Sequence, residues 1–203
     1  MKVGVIGAGA MGSGIAQAFA TTEGYEVCLC DIKEEFAANG KARIVKSFDG
    51  RVAKGKMERS EADKIVSKIS IGLKEICKDC DLIVEAAFES MEVKKTTFKE
   101  LHEICKSDCV FSSNTSSLSI TEIGAGIGRP VIGMHFFNPA PVMKLVEVIS
   151  GINTPREVAE KIITISKEIG KVPVEVNETA GFVVNRILVP MINEAIDLYS
   201  MGV

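Results

Sequence analysis

The 203-residue sequence predicts an α/β fold in which helices cover both faces of a doubly wound, mostly parallel β-sheet. Three observations predict this fold. Short apolar segments alternate with helical segments almost from the first residue. A glycine-rich segment, Gly7-Ala-Gly-Ala-Met-Gly12, separates the first apolar segment from the first helical one. The composition, 46% hydrophobic and 25% charged, is that of an ordinary globular protein.

The predicted elements follow the chain in order. Apolar runs predict strands at residues 2–6, 26–30, 82–86, 110–112, 131–135, 145–149 and 172–176. Helical spacing predicts helices at residues 11–21, 92–105, 155–169 and 183–199, and the pair Thr154-Pro155 is a favourable start for the third of these. A helical hairpin is expected at about 41–68. We place a domain boundary at 177–181, which divides the chain into a sheet domain at 1–180 and a helical part at 181–203.

Composition also excludes several classes of protein. No run approaches the roughly 18 uncharged apolar residues of a membrane span, and the amino terminus begins a strand at Lys2 without a charged leader. We therefore expect a cytoplasmic protein with no membrane partner. The six cysteines are expected to be reduced. Cys77 and Cys80 with Cys105 and Cys109 resemble a zinc spacing, but no histidine accompanies them and no metal is expected.

The glycine-rich segment lies where a dinucleotide fingerprint belongs, between a strand and a helix. Gly7 would make the tight turn, Gly9 would let the backbone approach a pyrophosphate, and Gly12 would let helix and strand pack closely. Asp31, 19 residues after Gly12, ends the second strand and could accept both hydroxyls of an adenosine ribose. The pattern predicts a Rossmann-type fold that prefers NAD to NADP, although Lys33 could accommodate an extra phosphate. The alternative is ordinary turn chemistry followed by a solvated acid.

A basic segment occupies residues 41–68. It carries nine Lys or Arg against four Asp or Glu, so it is locally +5 while the remainder of the chain is −8. This asymmetry indicates an anionic ligand. Because Phe48 is its only aromatic residue, a polyanionic small molecule is favoured over nucleic acid. The alternative is a solvated helical hairpin.

The stretch from His135 to Glu147 places one of only two histidines, together with a carboxylate, in apolar sequence that reads as strand. Burying an unpaired carboxylate costs several kcal/mol, so Glu147 is expected to have a partner. An imidazole held by a carboxylate is the usual proton-transfer pair of an enzyme. The alternative is a core histidine that a neighbouring acid merely satisfies.

Five segments together resemble one family. They are VGVIGAGAMGSGIAQ, CDLIVEAAFE, SSNTSSLSI, IGMHFFNPAPVMKLVEV and GFVVNRILVPMINEA, in that order. On these segments the chain resembles 3-hydroxyacyl-CoA dehydrogenases, especially the bacterial 3-hydroxybutyryl-CoA dehydrogenases, along essentially its whole length. The resemblance implies reversible oxidation of an L-3-hydroxyacyl-CoA, expected to be short-chain, to the 3-oxoacyl thioester, with hydride passing to NAD.

The resemblance also implies roles for individual residues. His135 would take the hydroxyl proton, Glu147 would orient its ring, Ser116 would hydrogen-bond the reacting oxygen, and Asn185 would donate to the thioester side. Without the family, Ser116 reads as a turn residue and Asn185 as a polar residue at a helix start. Around the cofactor the resemblance implies Gly7, Ala8, Gly9, Ala10, Met11, Gly12, Ser13, Asp31, Glu89, Lys94, Ser116 and Asn138, and around coenzyme A it implies Ser47, Lys54 and Ser116.

Two departures from the family pattern qualify these expectations. Ala180 stands where a proline commonly precedes the GFVVNR segment. The chain ends at Val203, inside or just after the first helix of what the family uses as an all-helical second domain, so we expect 181–203 to be the start of that domain and leave the activity of this chain alone open. The helix at 183–199 has a broad apolar face, which predicts a homo-oligomer formed through it.

Two alternative functions remain at this point. One is a catalytically inactive NAD-binding or structural protein of the same fold, because fold and function separate easily. The presence of all four residues implied in catalysis argues against it. The other is a lysine-dependent 3-hydroxyacid dehydrogenase, which would carry a catalytic lysine where this chain has Asn185-Arg186.

Overall fold

An eight-stranded sheet organises the computed structural model, which describes the whole chain, residues 1–203. The strands are β1 (Lys2–Ile6), β2 (Glu26–Cys30), β3 (Ile69–Gly72), β4 (Leu82–Glu85), β5 (Val110–Ser113), β6 (Val131–Phe136), β7 (Leu145–Ser150) and β8 (Val172–Asn177). Their order is β3-β2-β1-β4-β5-β6-β7-β8, and every neighbouring pair is parallel except β6 with β7. The predicted doubly wound, mostly parallel sheet is therefore confirmed.

Seven α-helices accompany the sheet. They are α1 (Ala10–Thr21), α2 (Glu34–Ala53), α3 (Arg59–Ser67), α4 (Met91–Ile104), α5 (Ile120–Gly124), α6 (Arg156–Glu168) and α7 (Val184–Ser200), with one 3-10 turn at Lys74–Cys77. All the helices predicted from spacing are present within two residues of their expected bounds. Because β1 pairs with both β2 and β4, the sheet grows in opposite directions from β1. Open α/β sheets bind ligands outside the carboxyl ends of the strands at this point.

Three predictions about local structure need correction. The helical hairpin begins at Glu34 instead of residue 41, and with β3, which was not predicted, it forms the crossover from β2 to its parallel neighbour. The short helix α5 was also missed. Thr154 does not cap α6: the N-cap is Pro155, while the Thr154 hydroxyl accepts from the Gly151 N–H at 2.9 Å and donates to the Val131 carbonyl at 2.9 Å. Thr154 thus joins the loop after β7 to the start of β6 instead of capping a helix.

Two apolar cores lie on opposite faces of the sheet. The larger contains 28 buried residues, among them Phe19, Phe48 and Met134, under α1, α2, α3 and α6. The smaller contains 18 buried residues under α4 and α5. All six cysteines are free thiols buried in this second core, where the Sγ atoms of Cys30 and Cys77 are 3.4 Å apart.

Helix α7 differs from the rest of the chain because none of its residues is buried. Its exposed apolar side chains include Ile187, Met191, Ile196 and Tyr199. Fully burying such a side chain contributes about 1.5–3 kcal/mol, so this surface is one that a partner could cover. No helix of the structure is both long enough and apolar enough to cross a membrane.

Candidate active site

The glycine-rich loop follows β1 and lies against the end of β4. Gly7 has φ of +94°, and a Cβ on it would be 2.6 Å from the Ala86 carbonyl oxygen. A Cβ on Gly12 would come within 1.7 Å of the Gly7 carbonyl oxygen, because helix and loop touch there. Gly9, in contrast, has open space where its Cβ would be. The loop is therefore closed on its protein side and open at Gly9, as the approach of a pyrophosphate requires.

Helix α1 starts at this loop with its first N–H groups uncapped. Its N-cap is Gly9, which has no side chain to accept a hydrogen bond, and the first turn carries no acidic residue. The amino-terminal end of a helix carries partial positive charge and free donors, which suit a phosphate. The chemistry of this cradle fits the dinucleotide that the glycine spacing predicts.

Asp31, at the end of β2, also holds the glycine loop in place. Its Oδ2 accepts from the Ala8 N–H at 2.7 Å and its Oδ1 accepts from the Ile32 N–H at 2.7 Å. Arg43 of α2 donates to the Ala8 carbonyl from the other side at 3.0 Å. Carboxylate oxygens accept more than one donor, so Asp31 can still receive ribose hydroxyls. The tie between Asp31 and the loop was not foreseen, since it joins residues 23 positions apart.

His135 and Glu147 form a buried pair, as predicted. They face each other across the antiparallel β6–β7 ladder, and His135 Nδ1 lies 2.8 Å from Glu147 Oε2. His135 is 5% exposed and Glu147 is 1% exposed. The rings of Phe137 and Phe182 flank the imidazole, with centroids at 4.6 and 5.7 Å. A ring that donates its Nδ1 proton to this carboxylate would keep the lone pair of Nε2 free to accept a proton.

The other oxygen of Glu147 binds the start of α7. Glu147 Oε1 accepts from the backbone N–H groups of Val183 and Val184, both at 3.0 Å. The chain enters this helix through Gly181 and Phe182, which both have positive φ, 76° and 51°. Glu147 therefore holds the imidazole with one oxygen and a helix amino terminus with the other, and sequence patterns contain no signal for this second contact.

Ser116 and Asn185 meet at the mouth of the site. The Asn185 side-chain amide donates to the Ser116 backbone carbonyl at 3.0 Å, linking the turn after β5 to α7. Both residues line an open cleft of about 710 Å³, together with Ser117, Gly181 and Arg186. The structure thus brings together two residues that are 69 positions apart in the sequence.

Glu89 and Lys94 belong to a network that continues into the sheet. Glu89 accepts from the Thr115 hydroxyl at 2.5 Å and from the Ser116 N–H at 2.9 Å, and Lys94 lies 3.2 Å from it. Partial burial would raise the pKa of Glu89, but these donors outweigh burial and hold the pKa below its usual value. Lys94 also contacts Glu85, a residue that the sequence did not single out.

The loop that carries Asn138 is held by a lysine that was missed. Lys171 donates to the backbone carbonyls of Ala140 at 2.5 Å and Met143 at 2.8 Å, and burial lowers its pKa. Asn138 is exposed at the start of this loop. A lone lysine before β8 has no motif around it, so only the fold could reveal its partners.

The residues expected at coenzyme A lie on α2 and just after it. Ser47 and Lys54 are both exposed, and Ser47 receives a long contact of 3.4 Å from the Gln17 amide of α1. Seven positions along a helix return nearly to the same face, so the two side chains project in similar directions. No hydrogen bond connects either residue to the His135–Glu147 pair.

Comparison with known proteins places the chain in a family. The family model "3-hydroxyacyl-CoA dehydrogenase, NAD binding domain" matches residues 2–179. The chain belongs to the 3-hydroxyacyl-CoA dehydrogenase family. It is 50% identical over 206 residues to a 3-hydroxybutyryl-CoA dehydrogenase of Clostridioides difficile, a match that covers 100% of this chain and 73% of that protein.

Other members of the 3-hydroxyacyl-CoA dehydrogenase family agree in sequence and in fold. The chain is 43% identical over 210 residues to the human mitochondrial hydroxyacyl-coenzyme A dehydrogenase, covering 98% of this chain and 66% of that protein. The crystal structure of (S)-3-hydroxybutyryl-CoA dehydrogenase from Ralstonia eutropha superposes with a TM-score of 0.94 at 40% identity, covering 99% of this chain and 72% of that one. The Rossmann-type fold and the NAD-binding function predicted from the glycine loop are confirmed.

Proposed function

We propose that this NAD-dependent 3-hydroxyacyl-CoA dehydrogenase interconverts short L-3-hydroxyacyl-CoA and 3-oxoacyl-CoA thioesters with His135 as the acid and base. The observation that carries the proposal is the buried His135–Glu147 pair, held at 2.8 Å at the carboxyl edge of the sheet. NAD, when bound, accepts the hydride that leaves C3 of the substrate. The remaining chemistry is proton transfer and charge stabilisation by side chains of this chain.

His135 would take the hydroxyl proton at Nε2 as the alcohol is oxidised, and return it in the reverse direction. Glu147 makes this possible in two ways. It fixes Nδ1 as the protonated nitrogen, and its charge stabilises the imidazolium that forms. Both partners are almost fully buried, so their attraction is stronger than it would be in water.

Ser116 and Asn185 would bind the reacting end of the substrate. We propose that the Ser116 hydroxyl hydrogen-bonds the oxygen on C3, and that Asn185 donates an amide N–H to the thioester carbonyl. The contact between the Asn185 amide and the Ser116 carbonyl supports this pairing, because it fixes the two groups side by side. Donors held in place before the reaction stabilise developing negative charge without reorganisation.

Cofactor and coenzyme A would lie on either side of this centre. For NAD we propose the glycine loop and Asp31 at the adenosine half, with Glu89, Lys94, Ser116 and Asn138 at the nicotinamide half. For coenzyme A we propose Ser47 and Lys54, in a segment whose local charge of +5 suits the phosphates of that molecule. Lys54 would act as a point charge on a flexible stem.

The test is consumption of NADH with acetoacetyl-CoA, followed by absorbance. We expect a rate that clearly exceeds that of the variant His135→Gln, with NADH binding equal in the two proteins. Equal rates in the two proteins would contradict the assignment of His135. No turnover with short thioesters but turnover with long ones would contradict the proposed chain length. A protein that binds NADH but turns over neither would instead be the inactive member of the fold.

The oligomeric state is a second proposal. We propose that α7 covers its apolar face with α7 of another copy, because large apolar side chains on exposed surfaces favour association. Sedimentation of Ile192→Glu should then show a smaller species than the unmodified chain, while Glu194→Gln on the same helix should not. A cytoplasmic location also stays a prediction, which cell fractionation can test.

A further inference from the structure

Glu85 is the most highly coordinated carboxylate of the molecule and has no role in the function described so far. It ends β4, is 0% exposed, and accepts hydrogen bonds from three residues. Oε1 accepts from the Ala87 N–H at 2.7 Å and from Lys94 Nζ at 2.9 Å. Oε2 accepts from the Ser113 hydroxyl at 2.6 Å and from Lys94 Nζ at 3.0 Å. The carboxylate therefore joins the ends of β4 and β5 to α4.

Lys94 sits between two acids. Its own exposure is 1%, and it contacts Glu85 on one side and Glu89 on the other. Glu89 in turn holds the hydroxyl of Thr115 and the N–H of Ser116. Two carboxylates and one ammonium leave this row with one net negative charge. The row runs from the interior of the sheet to the turn that bears Ser116.

The Glu85 end of this row lies beside the dinucleotide cradle. Ala86 and Ala87, which follow Glu85 directly, are the residues that a Cβ on Gly7 would strike, at 2.6 and 2.9 Å. Glu85 and Lys94 are buried, so their charges act through a low effective dielectric and are felt over several ångströms, whereas the Glu89 side chain is 41% exposed and is screened more strongly. The nicotinamide ring is cationic in the oxidised cofactor and neutral in the reduced one. A net negative row next to the ring would therefore raise the affinity for the oxidised form relative to the reduced form.

We propose that Glu85 is a positioning residue that fixes Lys94 and, with Lys94 and Glu89, keeps the nicotinamide pocket net negative, which raises the affinity for NAD⁺ relative to that for NADH. The inference rests on the proposed placement of the nicotinamide half at Glu89, Lys94 and Ser116. It concerns the ratio of the affinities for NAD⁺ and NADH. If Glu85 had a purely structural role, its loss would weaken the binding of both cofactor forms alike and leave this ratio unchanged.

The experiment measures dissociation constants for NAD⁺ and NADH by calorimetry or fluorescence, without acyl-CoA. Glu85→Gln brings the row to zero charge, and we expect it to shift the ratio by roughly tenfold towards NADH. Lys94→Gln makes the row more negative and should shift the ratio in the opposite direction. The double variant Glu85→Gln/Lys94→Gln restores one negative charge and should return the ratio to within about threefold of the unmodified protein. If Glu85→Gln alone does not fold, the double variant compared with Lys94→Gln still isolates the charge of Glu85.

Asp81→Asn provides the matched control. Asp81 precedes β4, which Glu85 ends, and it is also paired with a lysine, Lys106 at 2.5 Å, but it lies at the opposite edge of the sheet. Its loss should leave the affinity ratio unchanged, and an equal shift there would overturn the proposal.

Two further outcomes separate this inference from the cofactor placement on which it rests. If the ratio of the two affinities stays the same in all variants of the row while Lys94→Gln still weakens binding, the inference is overturned but the cofactor placement stands. If Lys94→Gln and Ser116→Ala change neither affinity, the placement itself is wrong and the inference falls with it.

Discussion

The two ends of β4 carry the same chemical pair in opposite environments. At the carboxyl end, Glu85 and Lys94 have side-chain exposures of 0% and 1%, whereas at the amino end Asp81 and Lys106 have 33% and 37%. An exposed pair contributes about 0–1 kcal/mol and is free to exchange with water. A buried pair must recover the cost of leaving water, and does so only with fixed geometry and further hydrogen bonds. The comparison shows that β4 has its buried ion pair, which costs free energy to desolvate, at the edge of the sheet where the ligand is expected.

The same contrast holds for the two histidines. His135 lies at the carboxyl edge with a buried carboxylate, while His102, in the last turn of α4, accepts a hydrogen bond from Arg129 Nε at 3.0 Å. The largest effect should therefore follow from His135→Gln, which we expect to lower turnover by about 10²-fold or more and to leave NADH binding intact. His102→Gln, measured in the same assay, should retain turnover. Near-native rates for His135→Gln when chemistry limits the reaction would end the proton-transfer assignment.

Glu147→Gln sharpens the comparison at the carboxyl edge. The glutamine can still accept from Val183 and Val184, but its NH₂ would face His135 Nδ1. The neutral ring would then carry its proton on Nε2 and could no longer accept one there. We expect turnover to fall by roughly tenfold or more, with less effect on the melting temperature than Glu147→Ala, which also loses the contacts to α7. An active Glu147→Gln enzyme would show that the ring does not depend on this carboxylate.

The preference for NADH over NADPH tests the role of Asp31 at the carboxyl end of β2. Because Asp31 would face the ribose, the phosphate of NADPH should be repelled, and NADH should bind more tightly by about tenfold. Asp31→Asn should narrow that difference. Fluorescence titration with both cofactors measures it, and tighter binding of NADPH to the unmodified chain would remove Asp31 from the ribose site.

Acid stability gives a smaller effect. Burial alone would raise the pKa of Glu178, but donors from Ser119 and Thr121 outweigh burial and hold it below its usual value of 4.5. A depressed carboxyl pKa stabilises the fold above the unfolded pKa, and this stability is lost as the pH falls through the folded pKa. Glu178→Gln should therefore cost about 1 kcal/mol at pH 7 and progressively less below pH 4.5. Urea unfolding of both proteins at pH 7 and below pH 4.5 measures the difference in the free energy of unfolding. A difference that does not change with pH would contradict this prediction.

The smallest effect is expected at the amino edge. Asp81→Asn should lower the free energy of unfolding by no more than about 1 kcal/mol, since its partner Lys106 is exposed. High salt should reduce even this difference. A loss of several kcal/mol would mean that the two ends of β4 are not as different as their exposures indicate.

Sequence reasoning recovered seven of the eight strands, the glycine loop and the His135–Glu147 pair. In each case the signal was local: alternation of apolar runs, fixed glycine spacing, or a histidine and an acid on two consecutive strands. It missed Glu85, Lys171 and the second contact of Glu147. Those roles depend on which distant segments meet, such as Ser113 at 28 positions from Glu85. It also assigned Thr154 to a helix start, because a favourable residue pair does not reveal a competing partner in a distant strand, here Val131 of β6.

One feature of Glu147 has a mechanical consequence. Its two oxygens connect the imidazole to the first backbone amides of α7, just beyond a pair of residues with left-handed backbone angles. A partner that docks on α7 and rotates it would move those amides. The Glu147 carboxylate would then tilt, and the orientation of the His135 ring would change with it. The orientation of an exposed helix and the orientation of the buried His135 ring are thus linked through one carboxylate.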